Sequence, residues 1–195
     1  EVYRGCPRGC RFCQAGMLYR PARNRSAKQL DAQARALYEA TGFSEISMCS
    51  LSISDYTELT EMTNRLLSWT DDEKVSISLP SLRADTFTKE LMDKISGVRS
   101  STLTFAPEAG SQRLRDVINK NVTLQEILRA CDTAFTAGKN QVKLYFMIGH
   151  PTETDGDLAQ INEVARQVIH TFYQNPNRNR ARGVSVTLSV ATFIP

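Results

Sequence analysis

The chain has 195 residues, of which 41% are hydrophobic, and a formal net charge of +3. That length can bury a sizeable core, and the charge is too small to argue for nucleic acid or an anionic membrane as partner. No apolar run approaches the ~18 residues of a membrane span and no signal-peptide pattern opens the chain, so it reads as cytoplasmic, with no membrane partner.

In chain order, a strand stub at Glu1 to Tyr3 leads into "RGCPRGCRFCQAG" (4–16), where three of the five cysteines fall in the spacing Cys6-x3-Cys10-x2-Cys13. A helix is expected over 26–42, with Ser26 as N-cap and Gly42 as its stop. A strand over 45–53, a helix over 56–69 and a strand over 74–79 follow. A helix over 85–96, a strand over 100–106 and a helix over 123–138 come next, the last capped by Thr123. A strand over 140–149, a helix over 155–173 with Asp155 as cap, and a strand over 183–194 complete the series. The polar linker "QNPNRNRARG" (174–183) reads as a solvated loop.

Six strands alternating with five helices argue for an α/β fold of βα units around a parallel sheet. Six units are too few for a closed eight-stranded barrel, so an open, partial TIM barrel of six βα units is expected, with a doubly wound sheet as the alternative. In either case a ligand belongs at the C-terminal ends of the strands. The unusual residues fall there: the cysteine loop, "SISDY", "APEAGS" and "GHPTET". Both ends of the sequence look cut, so the chain is expected to be a single core domain, 1–195, from a longer protein.

An odd cysteine count with three clustered speaks against a disulfide scaffold and for a metal or a catalytic role. Four thiolates normally hold a four-iron cluster. Three leave one iron open for a small molecule, as an open coordination site does in catalytic zinc enzymes. The alternatives at this point are a zinc knuckle completed by His150, or an electron-transfer cluster with a distant fourth ligand. Cys49, within the 45–53 strand, and Cys131, within the 123–138 helix, read as small buried residues.

The cysteine spacing, with aromatic Phe12 before the last cysteine, resembles the radical S-adenosylmethionine (radical SAM) superfamily from Val2 to Pro195. "APEAGSQRLRDVINK" and "GHPTET" add to the likeness. It looks closest to uncharacterised bacterial members with a cobalamin-binding-like domain, and more distantly to MiaB-type methylthiotransferases. The resemblance implies a [4Fe-4S] cluster on Cys6, Cys10 and Cys13, with SAM chelating the open iron. Reductive cleavage would then yield a 5′-deoxyadenosyl radical, the electron coming from a reductant such as flavodoxin or ferredoxin. Cobalamin would enter only through a domain outside this chain. The substrate, any nucleic-acid partner, and the choice among methyl, methylthio and rearrangement chemistry stay open.

The same resemblance implies the SAM contacts. Phe12 matches the residue near the adenine. Ser52, Ser54 and Asp55 stand where relatives carry acceptors for the methionine amine, although Asp55 also reads as a cap of the next helix. Ser78 matches a polar ribose contact, and Glu108 a ligand of the ribose hydroxyls or the amine. Lys120 matches a cation for the SAM carboxylate, while Met147 and Gly149 match backbone contacts to adenine. Pro107 is expected to end its strand and turn Glu108 over the sheet's edge. His150, where relatives are often apolar, reads as a hydrogen-bonded structural histidine. The reading from a different class is a non-catalytic iron–sulfur or zinc module that senses redox state or binds RNA.

Overall fold

The computed structural model describes residues 1–79, 83–85 and 103–194. These form two compact units: residues 1–8 with 15–79, and residues 9–14 with 83–85 and 103–194. The helix expected over 85–96 lies, apart from Asp85, outside the described residues.

In the first unit, β1 (Tyr3–Arg4) pairs antiparallel with β2 (Arg23–Asn24), and a short helix α1 (Gln14–Leu18) follows the cysteine loop. All three are too short to leave a periodic signal. Gly5 sits at φ +94, where an added Cβ would lie 2.3 Å from the Tyr19 carbonyl oxygen, so only glycine fits. α2 (Ala27–Thr41) begins as expected, with Ser26 Oγ accepting from the Gln29 N–H at 3.2 Å. It stops at Gly42, left-handed at φ 66, whose N–H donates to the Tyr38 carbonyl at 2.8 Å.

β3 (Glu45–Ser47) and β4 (Ser76–Ser78) pair in parallel, with α3 (Leu59–Thr70) on the connection between them. Leu30, Ala34, Met62, Leu66 and Trp69 from the helices close on Val2, Met48, Ile53 and Ile77 to form one core. Each large apolar side chain there contributes about 1.5–3 kcal/mol.

The strand expected over 45–53 is cut short at Ser47. Ser52 and Asp55 bond each other locally, the Asp55 N–H to the Ser52 carbonyl at 3.0 Å and Ser52 Oγ to Asp55 Oδ2 at 2.8 Å. Those bonds favour a 3₁₀ turn at Ile53–Asp55 over the ladder. Cys49 is therefore exposed in a loop, not buried in a strand. Asp55 does not cap α3 either; the N-cap is Glu58, and its carboxylate accepts instead from the Ala27 N–H at 2.8 Å.

In the second unit, β5 (Leu103–Glu108), β6 (Gln141–Ile148) and β7 (Ser185–Thr192) form a parallel sheet in that order. α4 (Gln112–Val117) and α5 (Leu124–Thr136) connect β5 to β6, and α6 (Asp155–Gln174) connects β6 to β7. Leu103, Phe105, Val142, Leu144 and Phe146 alternate inward on one face of this sheet, as period-2 patterning requires. The helices add Ile127, Phe135, Val168 and Phe172 to the buried set, Phe135 and Phe172 meeting edge to face at 5.1 Å.

Thr123 caps α5 through a capping box with Glu126. For α6 the cap is Thr154, not Asp155: the chain is still extended at Thr154, and Asp157 closes the box three residues on. Pro107 does not end β5. The strand runs on to Glu108 through a register shift between Phe105 and Glu108, and a bulge is where a proline is tolerated in a ladder.

Candidate functional site

Cys6, Cys10 and Cys13 are free thiols, Cys10 buried and the other two half-buried. Residues 9–14 of the loop are fastened to the end of α4. The Arg11 N–H donates to the Ile118 carbonyl at 2.9 Å, Arg11 Nη1 to the Val117 carbonyl at 3.0 Å, and Asn119 Nδ2 to the Gly9 carbonyl at 2.7 Å. Within the loop, the Cys13 N–H turns back onto the Cys10 carbonyl at 3.1 Å. Among the described residues, no three His, Cys, Asp or Glu side chains are already gathered as around a metal ion. The donor chemistry nevertheless fits an iron–sulfur cluster: three unbridged thiols in eight positions, on a loop held by its backbone. Cys131 differs, because burial and then Asp132 push its thiol up to about 12, as suits a residue that only packs.

Three of the expected SAM contacts come together beside this loop. Lys120 Nζ lies 3.1 Å from Glu108 Oε1 and 5.7 Å from the centre of the Phe12 ring. Glu108 is turned there by φ 68, a left-handed value rare outside glycine. Lys120 is flanked by Asn119 and Asn121, both left-handed at φ 53 and φ 51. Its carbonyl takes Arg83 Nη2 at 3.1 Å, and its N–H donates to the Arg115 carbonyl at 2.9 Å. Buried Arg115 ties the turn together through the carbonyls of Ala109, Gly110 and Val122, and burial lowers its pKa. Sequence reasoning missed Arg11, Arg115 and Asn119. The pair of asparagines around Lys120 was the available signal, since asparagine enters the left-handed region more readily than most residues.

Ser52, Ser54, Asp55 and Ser78 lie in the first unit. Asp55 forms a two-point ion pair with Arg8, its Oδ2 2.9 Å from Arg8 Nε, and also accepts from Ser52 Oγ. Ser52 is buried, and its carbonyl accepts the Tyr3 hydroxyl. Burial first, then the charges of Asp55 and Cys6, push the Tyr3 hydroxyl up to about 12. Ser54 is half-buried in the 3₁₀ turn. Ser78 is half-buried in β4, and its carbonyl receives the Met48 N–H at 2.9 Å.

Met147 is half-buried near the end of β6. Gly149 follows at φ 87 and donates its N–H to Glu153 Oε2 at 2.5 Å, while the Glu153 N–H returns to the His150 carbonyl at 3.1 Å. This turn is locked to the one after β5. Asp157 accepts from Ser111 Oγ, from Arg113, and from Thr154 Oγ1 at 2.8 Å. These donors, Arg113 first and Ser111 next, hold its carboxyl far below the usual carboxylate range. Gly110 completes the lock: an added Cβ would lie 2.5 Å from the Ile161 nitrogen and 2.6 Å from the Asp157 carbonyl oxygen. "APEAGS" and "GHPTET" are thus joined structurally as well as read side by side.

His150 departs from expectation. It is buried, but its Nε2 has no hydrogen-bond partner. Two rings pack near it, Phe12 6.1 Å and Phe193 5.4 Å away between centroids.

Among known proteins, the family model described as the radical SAM superfamily matches residues 1–165. An uncharacterized protein of Methanocaldococcus jannaschii is 41% identical over 168 residues, covering 86% of this chain and 36% of its own length. A tRNA-2-methylthio-N(6)-dimethylallyladenosine synthase of Solibacter usitatus is 22% identical over 196 residues, with 91% of this chain and 42% of its own length covered. The chain therefore spans well under half the length of the curated relatives it matches. Coproporphyrinogen III oxidase (HemN) from Escherichia coli, titled a radical SAM enzyme, superposes at a TM-score of 0.61 and 15% identity over 97% of this chain and 42% of its own. That likeness shows the fold, an α/β partial barrel. With the family model matching most of its length, the chain belongs to the radical SAM superfamily.

Proposed function

We propose that this chain is the SAM-cleaving core of a radical SAM enzyme, with one [4Fe-4S] cluster on Cys6, Cys10 and Cys13. The observation that carries the reading is the set of three free thiols at the superfamily's spacing, in a chain that belongs to that superfamily. When bound, the cluster supplies the electron that breaks the C5′–S bond of SAM and yields a 5′-deoxyadenosyl radical.

The protein's own residues do the positioning. Phe12 offers a ring for the adenine, and the 9–14 loop that carries it is held by Asn119 and the α4 end. Lys120 is the cation for the methionine carboxylate, prealigned by its flanking asparagines. Glu108 accepts from the ribose hydroxyls or the amine, and its pairing with Lys120 keeps both charges in place before ligand arrives. Asp55 and Ser52 are the acceptors for the amine, with Arg8 fixing the carboxylate's orientation. Ser54 and Ser78 add polar contacts, and Met147 and Gly149 meet the adenine edge through backbone.

Iron content after anaerobic reconstitution tests the ligand set. The wild type should hold about four irons per chain, and Cys6→Ala, Cys10→Ala or Cys13→Ala should each lose them. Cys49→Ala and Cys131→Ala should keep them. Iron lost on changing Cys49 or Cys131 alone would mean a fourth protein thiolate and overturn the open-iron reading.

A further inference from the structure

Three non-glycine residues in the turns that carry Glu108 and Lys120 hold a left-handed backbone: Glu108 at φ 68, Asn119 at φ 53 and Asn121 at φ 51. Such positions persist only where the surrounding structure over-determines them. The residue after each of the three is bonded to Arg115. Arg115 Nη1 donates to the carbonyl of Ala109, which follows Glu108, at 3.0 Å. Arg115 Nε donates to the carbonyl of Val122, which follows Asn121, at 3.0 Å. The Arg115 carbonyl in turn accepts from the N–H of Lys120, which follows Asn119, at 2.9 Å. Two further bonds, from Nη1 to the Gly110 carbonyl at 2.8 Å and from Nη2 to Gln112 Oε1 at 3.1 Å, complete the fork.

Arg115 is 1% exposed, and all the acceptors of its side chain are neutral. A buried charge is costly unless every donor is used, and a helix position that had only to fill the core would carry an apolar side chain. What arginine supplies, and lysine does not, is a planar fork of donors that reaches acceptors on separate stretches of chain.

We propose that Arg115 is a positioning residue for SAM: it holds the turns after Glu108 and around Lys120 and so fixes Lys120 for the methionine carboxylate. The inference rests on the SAM-cleaving reading above, with Lys120 as the carboxylate's cation. Arg115 acts indirectly, because Glu108 and Lys120 lie on the two stretches it joins, and that joint sets the frame for their pairing at 3.1 Å.

The experiment is calorimetric titration of the reconstituted full chain with SAM and with decarboxylated SAM, which keeps the amine and lacks the group that Lys120 meets. The proteins are wild type, Arg115→Lys, Gln112→Ala and, as a control for simple loss of stability, Val168→Ala on the core face of α6, all matched for iron content. Wild type should prefer SAM by about ten- to a hundredfold, the range for a charged hydrogen bond. In Arg115→Lys that preference should fall at least about fivefold, since small misplacements of a binding group are costly. In Gln112→Ala, which removes only the Nη2 acceptor from an exposed position, it should fall about two- to threefold. Val168→Ala should lower the thermal midpoint and leave the preference as it is. A preference unchanged in Arg115→Lys, or equal weakening of both ligands, would make Arg115 a structural residue only and overturn the proposal. If Arg115→Lys does not fold, an unchanged preference in Gln112→Ala overturns it equally. A wild type that binds no SAM, or binds both ligands alike, would instead reject the underlying reading.

Discussion

Glu108 holds a backbone conformation that costs a non-glycine residue of order 1–3 kcal/mol, and such positions persist where surrounding structure over-determines them. Here the bulge that accommodates Pro107 and the ion pair with Lys120 do so. The outcome is a carboxylate, mostly buried, next to a lysine that stands over Phe12. If that carboxylate accepts from SAM, removing it forfeits a charged hydrogen bond worth about 1.5–3 kcal/mol. Glu108→Ala should then weaken SAM binding roughly ten- to a hundredfold at unchanged iron content, as calorimetry on reconstituted protein would read. An affinity equal to wild type would show that Glu108 serves only to hold Lys120.

Between β5 and α6 the decisive element is a lock of side chain and backbone around Asp157. Its carboxyl lies well below the ordinary value of 3.8 when folded, because Arg113 and then Ser111 donate to the ionised form. A carboxylate with a depressed folded pKa stabilises the fold above its unfolded pKa and loses that stabilisation as pH falls through the folded value. Asp157→Asn should therefore lower the thermal midpoint at neutral pH, and its gap from wild type should narrow below about pH 4. A gap that stays constant from neutral pH down to about pH 3 would contradict this assignment of the low pKa. The lock also explains what was legible in the sequence. The helix ends at Ser26, Gly42 and Thr123 could be read because capping is a local matter of a few consecutive residues. The paired motifs could be located, but their joining through Ser111, Arg113 and Asp157 depends on residues more than forty positions apart. Likewise the bulge at Pro107 and the early end of β3 depend on tertiary and side-chain competition that periodicity does not carry.

Among the described residues, helices separate successive strands from β1 to β4 and from β5 to β7, as the sequence pattern led us to expect, and the family model matches residues 1–165. Phe12, from the cysteine loop, and Glu108 and Lys120, from "APEAGSQRLRDVINK", were expected around SAM; Lys120 pairs with Glu108 and stands over the Phe12 ring. His150 was expected to be a hydrogen-bonded histidine, but its Nε2 has no partner, because which side chains surround a buried ring is settled by packing. No helix among the described residues is long and apolar enough to cross a membrane. The chain's central activity, on the proposed reading, needs only cluster, SAM and an electron, so it can be asked of these 195 residues directly. The measurement is 5′-deoxyadenosine released when the anaerobically reconstituted chain is mixed with SAM and dithionite. Wild type should release it without added substrate, and Cys10→Ala should not. An intact cluster with SAM bound, yet no 5′-deoxyadenosine above the Cys10→Ala background, would contradict the account.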